Sequence, residues 1–536
     1  MKQLSAGWSL LLACCAVAAR ADLPMPQVLV PGSPLHAIEG MAFGPDGQLY
    51  GTSVYDRRIY RIDPQSGTVT YAVPAPFGEA DDVAFGPPGS PAAGIMAWTA
   101  QRSGELRIRR PDGSLEVALP NVPRVNPVAF DDRGRLFVAQ SRAGDDALWE
   151  VDMTRGRPPR LVSRGQGPLN GFDFGADGML YAPAFGTDRL VAIDPDTGVH
   201  RVVAQGLGSP AAVKVDRRDG SLVSIDYLRG ELWRTDLRSQ RNTLLGRFDD
   251  VIDNLTLGPD GLIYLPSVAD SRVLVFDPQT GRSRRLVDGH FSVALGAVLT
   301  QHAGREAMLV ADPFGYRFVD LHSGVVTRPP WVGGRGMSSA IAASDTLIAF
   351  SYSGAARVRV IDRRTDALVM EFTDIDAPRG LLITDDGSII VADAKSGRLL
   401  RLRKNRRSTV AKDLARPVAL LADTTDSVLV SEYGRGALTR VNLRDGSRQI
   451  IATDFESPSA LARLPDGRIA VIEQTQRRLV LFDPRDGSRR IIATQLPTSL
   501  AALPFSADTT TGLVATRDGR LYITCAENNS ILRIDP

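Results

Sequence analysis

Glu39-Gly40-Met41-Ala42-Phe43-Gly44-Pro45-Asp46-Gly47-Gln48-Leu49-Tyr50 and the segment that completes it, Ile59-Tyr60-Arg61-Ile62-Asp63-Pro64-Gln65-Ser66-Gly67, decide the fold. The first part returns at Asn170 to Tyr181 and again at Asp253 to Tyr264. The second part returns as Asp194-Pro195-Asp196-Thr197-Gly198 and Asp277-Pro278-Gln279-Thr280-Gly281, and late in the chain as Asp483-Pro484-Arg485-Asp486-Gly487. The period is about 41 residues, and each unit holds four runs of strand length. Asp-Gly pairs suit tight turns between antiparallel strands, where φ becomes positive. The Asp-Pro-x-Thr/Ser-Gly turn adds a proline at a compatible φ and a glycine where the chain reverses. One such four-stranded unit cannot bury both faces, but units packed radially can.

The sequence therefore predicts an all-β chain of about twelve four-stranded blades. Inner strands are expected to begin near Glu39, Asp81, Asn126, Asn170, Ala211 and Asp253, then near Leu295, Met337, Arg379, Val418, Ser459 and Thr511. A single ring of twelve would leave a channel too wide for these small residues to fill. Two tandem six-bladed β-propellers are the expectation, 22–290 and 291–536. Gln27-Val28-Leu29-Val30 is a spare strand before the first blade. It either closes the last blade, which would place the first and last blades in one ring, or leaves that blade with three strands.

The chain has 536 residues, 43% hydrophobic and 23% charged, with a formal charge of +2. This near-neutral balance gives no reason to expect a nucleic acid or an anionic membrane as partner. The basic run Arg401-Leu402-Arg403-Lys404-Asn405-Arg406-Arg407 reads as a solvated hairpin. Lys2, an apolar stretch from Trp8 to Ala19 and Ala19-Arg20-Ala21 form the pattern of a signal peptide over 1–21. Its apolar part, about a dozen residues, is too short to span a bilayer, and no later stretch is long enough. A periplasmic or secreted protein is expected; Leu12-Ala13-Cys14 offers a lipoprotein alternative. Cys525 would be the lone cysteine of the mature chain, a small buried hydrophobe.

Down the first six units, the residue that opens each inner strand is Glu39, Asp81, Asn126, Asn170, Ala211 and Asp253. Five of the six carry short oxygen ligands. The second six read Leu295, Met337, Arg379, Val418, Ser459 and Thr511, with no carboxylate or amide. Three carboxylates converging on an axis repel one another unless protonated, hydrated or bound to a cation. Carboxylate and amide oxygens together suit a hard cation, and Ca²⁺ tolerates irregular geometry better than Mg²⁺. A hydrated polar channel is the simpler alternative.

Glu39-Gly40, Val125-Asn126-Pro127, Leu169-Asn170-Gly171 and Ile252-Asp253-Asn254 resemble the ligand-bearing segments of the SMP-30/gluconolactonase/LRE-like six-bladed propellers, a group related to the paraoxonases and the diisopropylfluorophosphatase type. The resemblance covers roughly Glu39 to His290. It implies one divalent ion, Ca²⁺ or similar, held by Glu39, Asn126, Asn170 and Asp253, and hydrolysis of a lactone or related ester. Ala211 departs from the pattern, since the family's metal Asp lies on the fifth blade and here appears at Asp253, with an extra Asp81 on the second.

If the site hydrolyses, Asp81 or Asp253 is the expected base or nucleophile. His36, on a loop expected to rim the same mouth, is a candidate proton shuttle. Tyr55, Arg57, Arg102, Arg142, Tyr227 and Arg229 fall on loops returning to that mouth and are candidates for holding a small acidic substrate. The competing reading is a non-catalytic binding or scaffold protein offering broad faces to a protein or glycan. A streptogramin-lyase-like activity is a third, but no His/Glu base cluster supports it.

Overall fold

Asp46 shows why the repeat folds as it does. Its carboxylate accepts the Gln48 N–H at 3.2 Å and the Tyr50 hydroxyl at 3.1 Å, while Gly47 takes φ +74°. The same Asp-to-Tyr bond recurs from Tyr181 to Asp177 at 2.8 Å and from Tyr264 to Asp260 at 3.1 Å. In the second turn, Asp63 accepts the N–H groups of Gln65 and Ser66 at 3.0 and 2.7 Å. Each reversal is thus wired by its own side chain, and the strands on either side must pair antiparallel.

The computed structural model describes residues 23–142, 144, 146–153, 156–329, 338–498 and 510–536. The expected signal segment 1–21 and Met337 lie outside them. The described residues form twelve four-stranded antiparallel sheets and one 3-10 turn, Ser353–Ala355. Sheet 1 holds Met41–Phe43, Leu49–Ser53, Arg58–Ile62 and Val69–Val73. Sheets 2 to 6 follow over 83–119, 125–164, 173–204, 210–247 and 256–287. Sheets 7 to 11 occupy 297–327, 340–372, 378–411, 417–452 and 458–493. No helix among the described residues is long and apolar enough to cross a membrane.

Sheet 12 takes up the spare strand before the first blade, the first of the two alternatives. It combines 513–534 with the N-terminal strand Gln27–Val30, which pairs antiparallel with Ser530–Ile534 through Gln27 with Arg533 and Val28 with Leu532. The first strand of the chain therefore completes the last sheet.

The core lies between neighbouring sheets, since the second strand of a unit is buried along its length, as in Leu49–Ser53 and Met96–Ala100. Tyr50 and Ile59 of sheet 1 pack with Met96 and Trp98 of sheet 2, and Tyr60 and Ile62 with Tyr264 and Val275 of sheet 6. Val30 joins Met308 and Val310 of sheet 7 and Tyr522 of sheet 12. The turn glycines trace the same order. A Cβ on Gly198 of sheet 4 would fall 2.0 Å from the Val162 carbonyl oxygen of sheet 3. On Gly67 of sheet 1 it would fall 2.1 Å from Leu286 O of sheet 6, and on Gly324 of sheet 7, 2.3 Å from Leu29 O. The inner strand of sheet 1 touches those of sheets 2 and 6, and that of sheet 7 touches those of sheets 8 and 12. Sheet 1 is thus not beside sheet 12 in the way that closing strand first suggests.

The first six sheets and the last six meet through polar as well as apolar groups. Asn529 donates to Leu35 O at 3.0 Å, Ser292 O at 3.1 Å and Phe291 O at 3.2 Å. Arg317 is fully buried and donates to Ala269 O at 2.8 Å and to Asp270 at 3.3 Å, with Asp312 at 3.8 Å. Burial would raise the Asp270 carboxyl, but Arg317, Arg328 and Arg272 outweigh it and hold Asp270 below the usual range. Cys525 is free and buried, as its lone position suggests. The basic run at 401–407 is a strand, a turn and a strand, with Lys404 and Asn405 at positive φ.

Candidate functional site

The residue expected to open each inner strand stands two or three positions before it in sheets 1, 2, 4 and 6, and is its second residue in sheets 3 and 5. Neighbouring sheets fix these residues by backbone and hydroxyl bonds. Gly40 N–H donates to Asp81 O at 2.9 Å, and Thr52 Oγ1 reaches the same carbonyl at 2.5 Å. The Thr99 hydroxyl donates to Asn126 O, and the Ser141 hydroxyl to Leu169 O. Val213 N–H donates to Gly171 O at 2.7 Å. A small hydroxyl residue at the end of the second strand thus ties sheets 1, 2 and 3 to the next inner segment, and a backbone bond does so between sheets 4 and 5.

Three carboxylates of this column act on one another through their charges. Burial, then the charges of Asp81 and Asp253, push the Glu39 carboxyl well above its usual value, against a Val54 N–H and the Arg102 charge. Burial and the charges of Asp253, Asp82 and Glu79 push Asp81 up in the same way. Asp253 rises to about 7 through burial and the Asp82 charge. Their common cause is like charge in a poorly hydrated place, which favours the protonated form or a bound cation.

Partners are scarce there. Glu39 Oε2 is buried with no hydrogen bond. Asp81 Oδ2 accepts from Gln101 Nε2 at 2.9 Å. Asn126 is only 8% exposed. Asn170 Oδ1 accepts the N–H of its own neighbour Gly171 at 2.9 Å. Ala211 is fully buried and supplies no ligand. Glu39, Asn126 and Asp253 therefore offer oxygens suited to a cation. Among the described residues, however, no three carboxylate, imidazole or thiol groups come together as a metal-binding set.

His36 lies elsewhere than the open rim expected for it. It is 1% exposed, its Nε2 is 2.9 Å from Ala526 O of sheet 12, and its Nδ1 is 3.8 Å from Asp56. Burial pushes its pKa down, against the Asp56 charge. The loop that carries it is sealed between the two halves, so the ring acts as a structural contact. Of the loop residues expected at the mouth, Tyr55, Tyr227 and Arg102 do come to the carboxylates. The Tyr55 hydroxyl is pushed up by burial and Glu39, and that of Tyr227 by burial, Asp253 and Glu39. Arg229 turns instead toward Glu231 at 4.0 Å.

Three groups here escaped the sequence reading. Glu79 accepts Arg102 N–H at 2.7 Å and Ser103 Oγ at 2.9 Å, which shapes the loop that carries Arg102. Asp82 and Asn254 form a second tier, with Asn254 Nδ2 donating to Asp82 Oδ1 at 3.2 Å. Reading one position further along each inner strand would have found that pair. Phe314, in the seventh sheet, packs on Tyr55 with ring centroids 5.7 Å apart. No column in the first half could have signalled it.

No protein-family model and no curated protein matches the chain. Among solved structures, a chain of a nidogen/laminin complex is 22% identical over 39% of this chain and 80% of its own, with TM-score 0.35. The extracellular domain of the hybrid two component system BT4673 from B. thetaiotaomicron is 11% identical over 96% of this chain and 82% of its own, with TM-score 0.32.

Proposed function

We propose that this chain is an exported binding protein of two six-bladed propellers, sheets 1–6 and 7–12, whose ligand site is the acidic end of the first ring. Support for two rings comes from the wrap-around contacts of sheet 1 with sheet 6 and of sheet 7 with sheet 12. The chain-terminal strand pair at Gln27–Val30 then closes the second ring. Export rests on the signal pattern of residues 1–21.

One observation carries the binding reading. Glu39, Asp81 and Asp253 lie within reach of one another's charge, while Glu39 Oε2 is buried with no hydrogen-bond partner among the described residues. Unmatched buried acceptors cost stability, so a site that keeps them favours a positively charged occupant. Titration calorimetry of the full chain with CaCl₂ and with tetramethylammonium chloride tests this. At least one cation is expected to bind saturably to wild type and to be lost in Glu39→Gln. Absence of binding by both would refute the site.

A second reading, a divalent-metal-dependent hydrolase of a lactone or related ester, draws on Asp253. A carboxyl that titrates near pH 7 has the properties of a general base. Turnover of a lactone panel, with and without added Ca²⁺, by wild type and Asp253→Asn tests that reading. Equal rates in the two proteins would remove it.

A further inference from the structure

The inner strands of the first six sheets also have a far end. Glu39, Asn170 and Asp253 stand before the inner strands of sheets 1, 4 and 6, and Phe43, Asp173 and Leu257 lie three or four residues further along. Between the two levels, Asp82 ties sheets 2, 3 and 6 together. It is 1% exposed and accepts Val83 N–H at 3.0 Å, Val128 N–H of sheet 3 at 3.3 Å and Asn254 Nδ2 of sheet 6 at 3.2 Å. At the far end a cavity of about 590 Å³ is lined from sheets 1, 4, 5 and 6. Its walls are apolar at Phe43, Leu257 and Pro259, and Phe43 rests edge to face on Tyr264 with centroids 5.1 Å apart.

The polar groups of this cavity are not equivalent. Arg217 and Arg218 line it but are drawn to acids, Arg217 to Asp132 of sheet 3 at 3.0 Å and Arg218 to Asp216 at 2.7 Å. Asp173 lines it too, and accepts the N–H groups of Phe174 and Val215 at 2.9 and 3.0 Å. Lys214 also lines the cavity, and its Nζ is 3.4 Å from Phe172 O. An ammonium carries three donors, so one long bond to a carbonyl leaves others for a ligand. The Lys214 charge reaches Asp82 as well, but the Asp82 oxygens already hold the three donors named above. Thr256, 7% exposed, adds a hydroxyl to the same lining.

We infer that this cavity takes a small monocarboxylate with an apolar body, its carboxylate on Lys214 and Thr256 and its body against Phe43, Leu257 and Pro259. A carboxylate meets a charged donor in a partly dry site, where such a hydrogen bond is strongest. The lining carboxylates Asp173 and Asp216 repel a second negative charge, which disfavours a phosphate. The apolar walls favour a body that leaves water, as in most small-molecule sites.

This cavity lies apart from the acidic end, so its test is independent of the cation reading. Titration calorimetry of the full chain with sodium benzoate, benzamide and inorganic phosphate makes that test. Benzoate is expected to bind saturably with a Kd of about 1 mM, the scale for so few atoms. Benzamide has the same shape without the charge and is expected to bind about tenfold more weakly. Phosphate is expected to bind more weakly than benzoate. Lys214→Met keeps the apolar stem, removes the charge and should weaken benzoate about tenfold, the scale of one charged hydrogen bond. If that substitution shifts the melting curve, Lys214→Arg, which keeps the charge, should restore benzoate affinity. Absence of benzoate binding, benzamide or phosphate bound as tightly as benzoate, or benzoate affinity indifferent to Lys214→Met overturns the inference.

Discussion

Asp253→Asn should make the protein more stable at pH 8, less so at pH 5, and leave it nearly unchanged below about pH 4. The Asp253 carboxyl is raised to about 7 in the folded chain, from an ordinary 3.8. A folded pKa above the unfolded one means that the native state binds more protons, so stability is lost as pH rises from about 4 through 7. A shift of about three units corresponds to about 4 kcal/mol at most, at about 1.4 kcal/mol per unit. Asp253 is only partly buried, so solvent screens part of this, and about 2 kcal/mol is a fairer expectation. If one half of the chain unfolds as a unit of roughly 260 residues, its unfolding entropy is about 0.5 kcal/mol per kelvin. The substitution should then raise Tm by about 4 °C at pH 8. Differential scanning calorimetry on chelator-treated protein in low salt measures this, since a bound cation would offset the repulsion. A lower Tm at pH 8 would refute the reasoning, because it would mean that Asp253 is held by favourable partners rather than repelled by Asp82.

Three further expectations follow from contacts already described. Thr99→Val keeps the shape of the side chain but leaves the Asn126 carbonyl without its donor, and urea unfolding should show a loss of about 1–2 kcal/mol. Arg317→Met removes one of the three arginines beside Asp270 and leaves Asp312 with its neutral donors alone, and calorimetry should show a loss of about 2–3 kcal/mol at the contact between the halves. His36 is buried with a lowered pKa, so the unfolded chain binds its proton more readily and stability falls as pH drops below about 6.5. His36→Gln should flatten that part of the pH–stability profile, as followed by thermal melts from pH 7.5 to 5.

Much of the fold was legible because its signals are local. Asp46, Gly47 and Tyr50 lie within five residues and wire one turn, and Asp63 with Gly67 wires the next. Any chain that repeats them must repeat the same hairpins. The column of oxygen ligands was legible for a related reason, since equal spacing from each turn gives equal depth along each inner strand. Glu39, Asp81 and Asp253 lie near enough for the charges of the two aspartates to act on the glutamate. His36 was misplaced because local sequence cannot tell an open loop from one capped by Ala526, almost five hundred residues away. Phe314 was invisible for the same reason. Nothing in the sequence near Tyr55 announces a ring from the seventh sheet.

The sequence by itself determined the unit: four strands, two wired turns and a polar residue opening five of the six inner strands in the first half. Those features depend on φ preferences and on hydrogen bonds between residues a few positions apart. Tertiary structure alone decided where the rows of units close. Gln27–Val30 could pair with any exposed strand edge as far as its own residues are concerned, and it pairs with Ser530–Ile534 because that edge is the one left open when sheet 12 packs on sheet 7. The acidic site follows the same division. Its carboxylates were set by the repeat, but the sealed His36 and the contact of Tyr55 with Phe314 exist only because the two halves press together there.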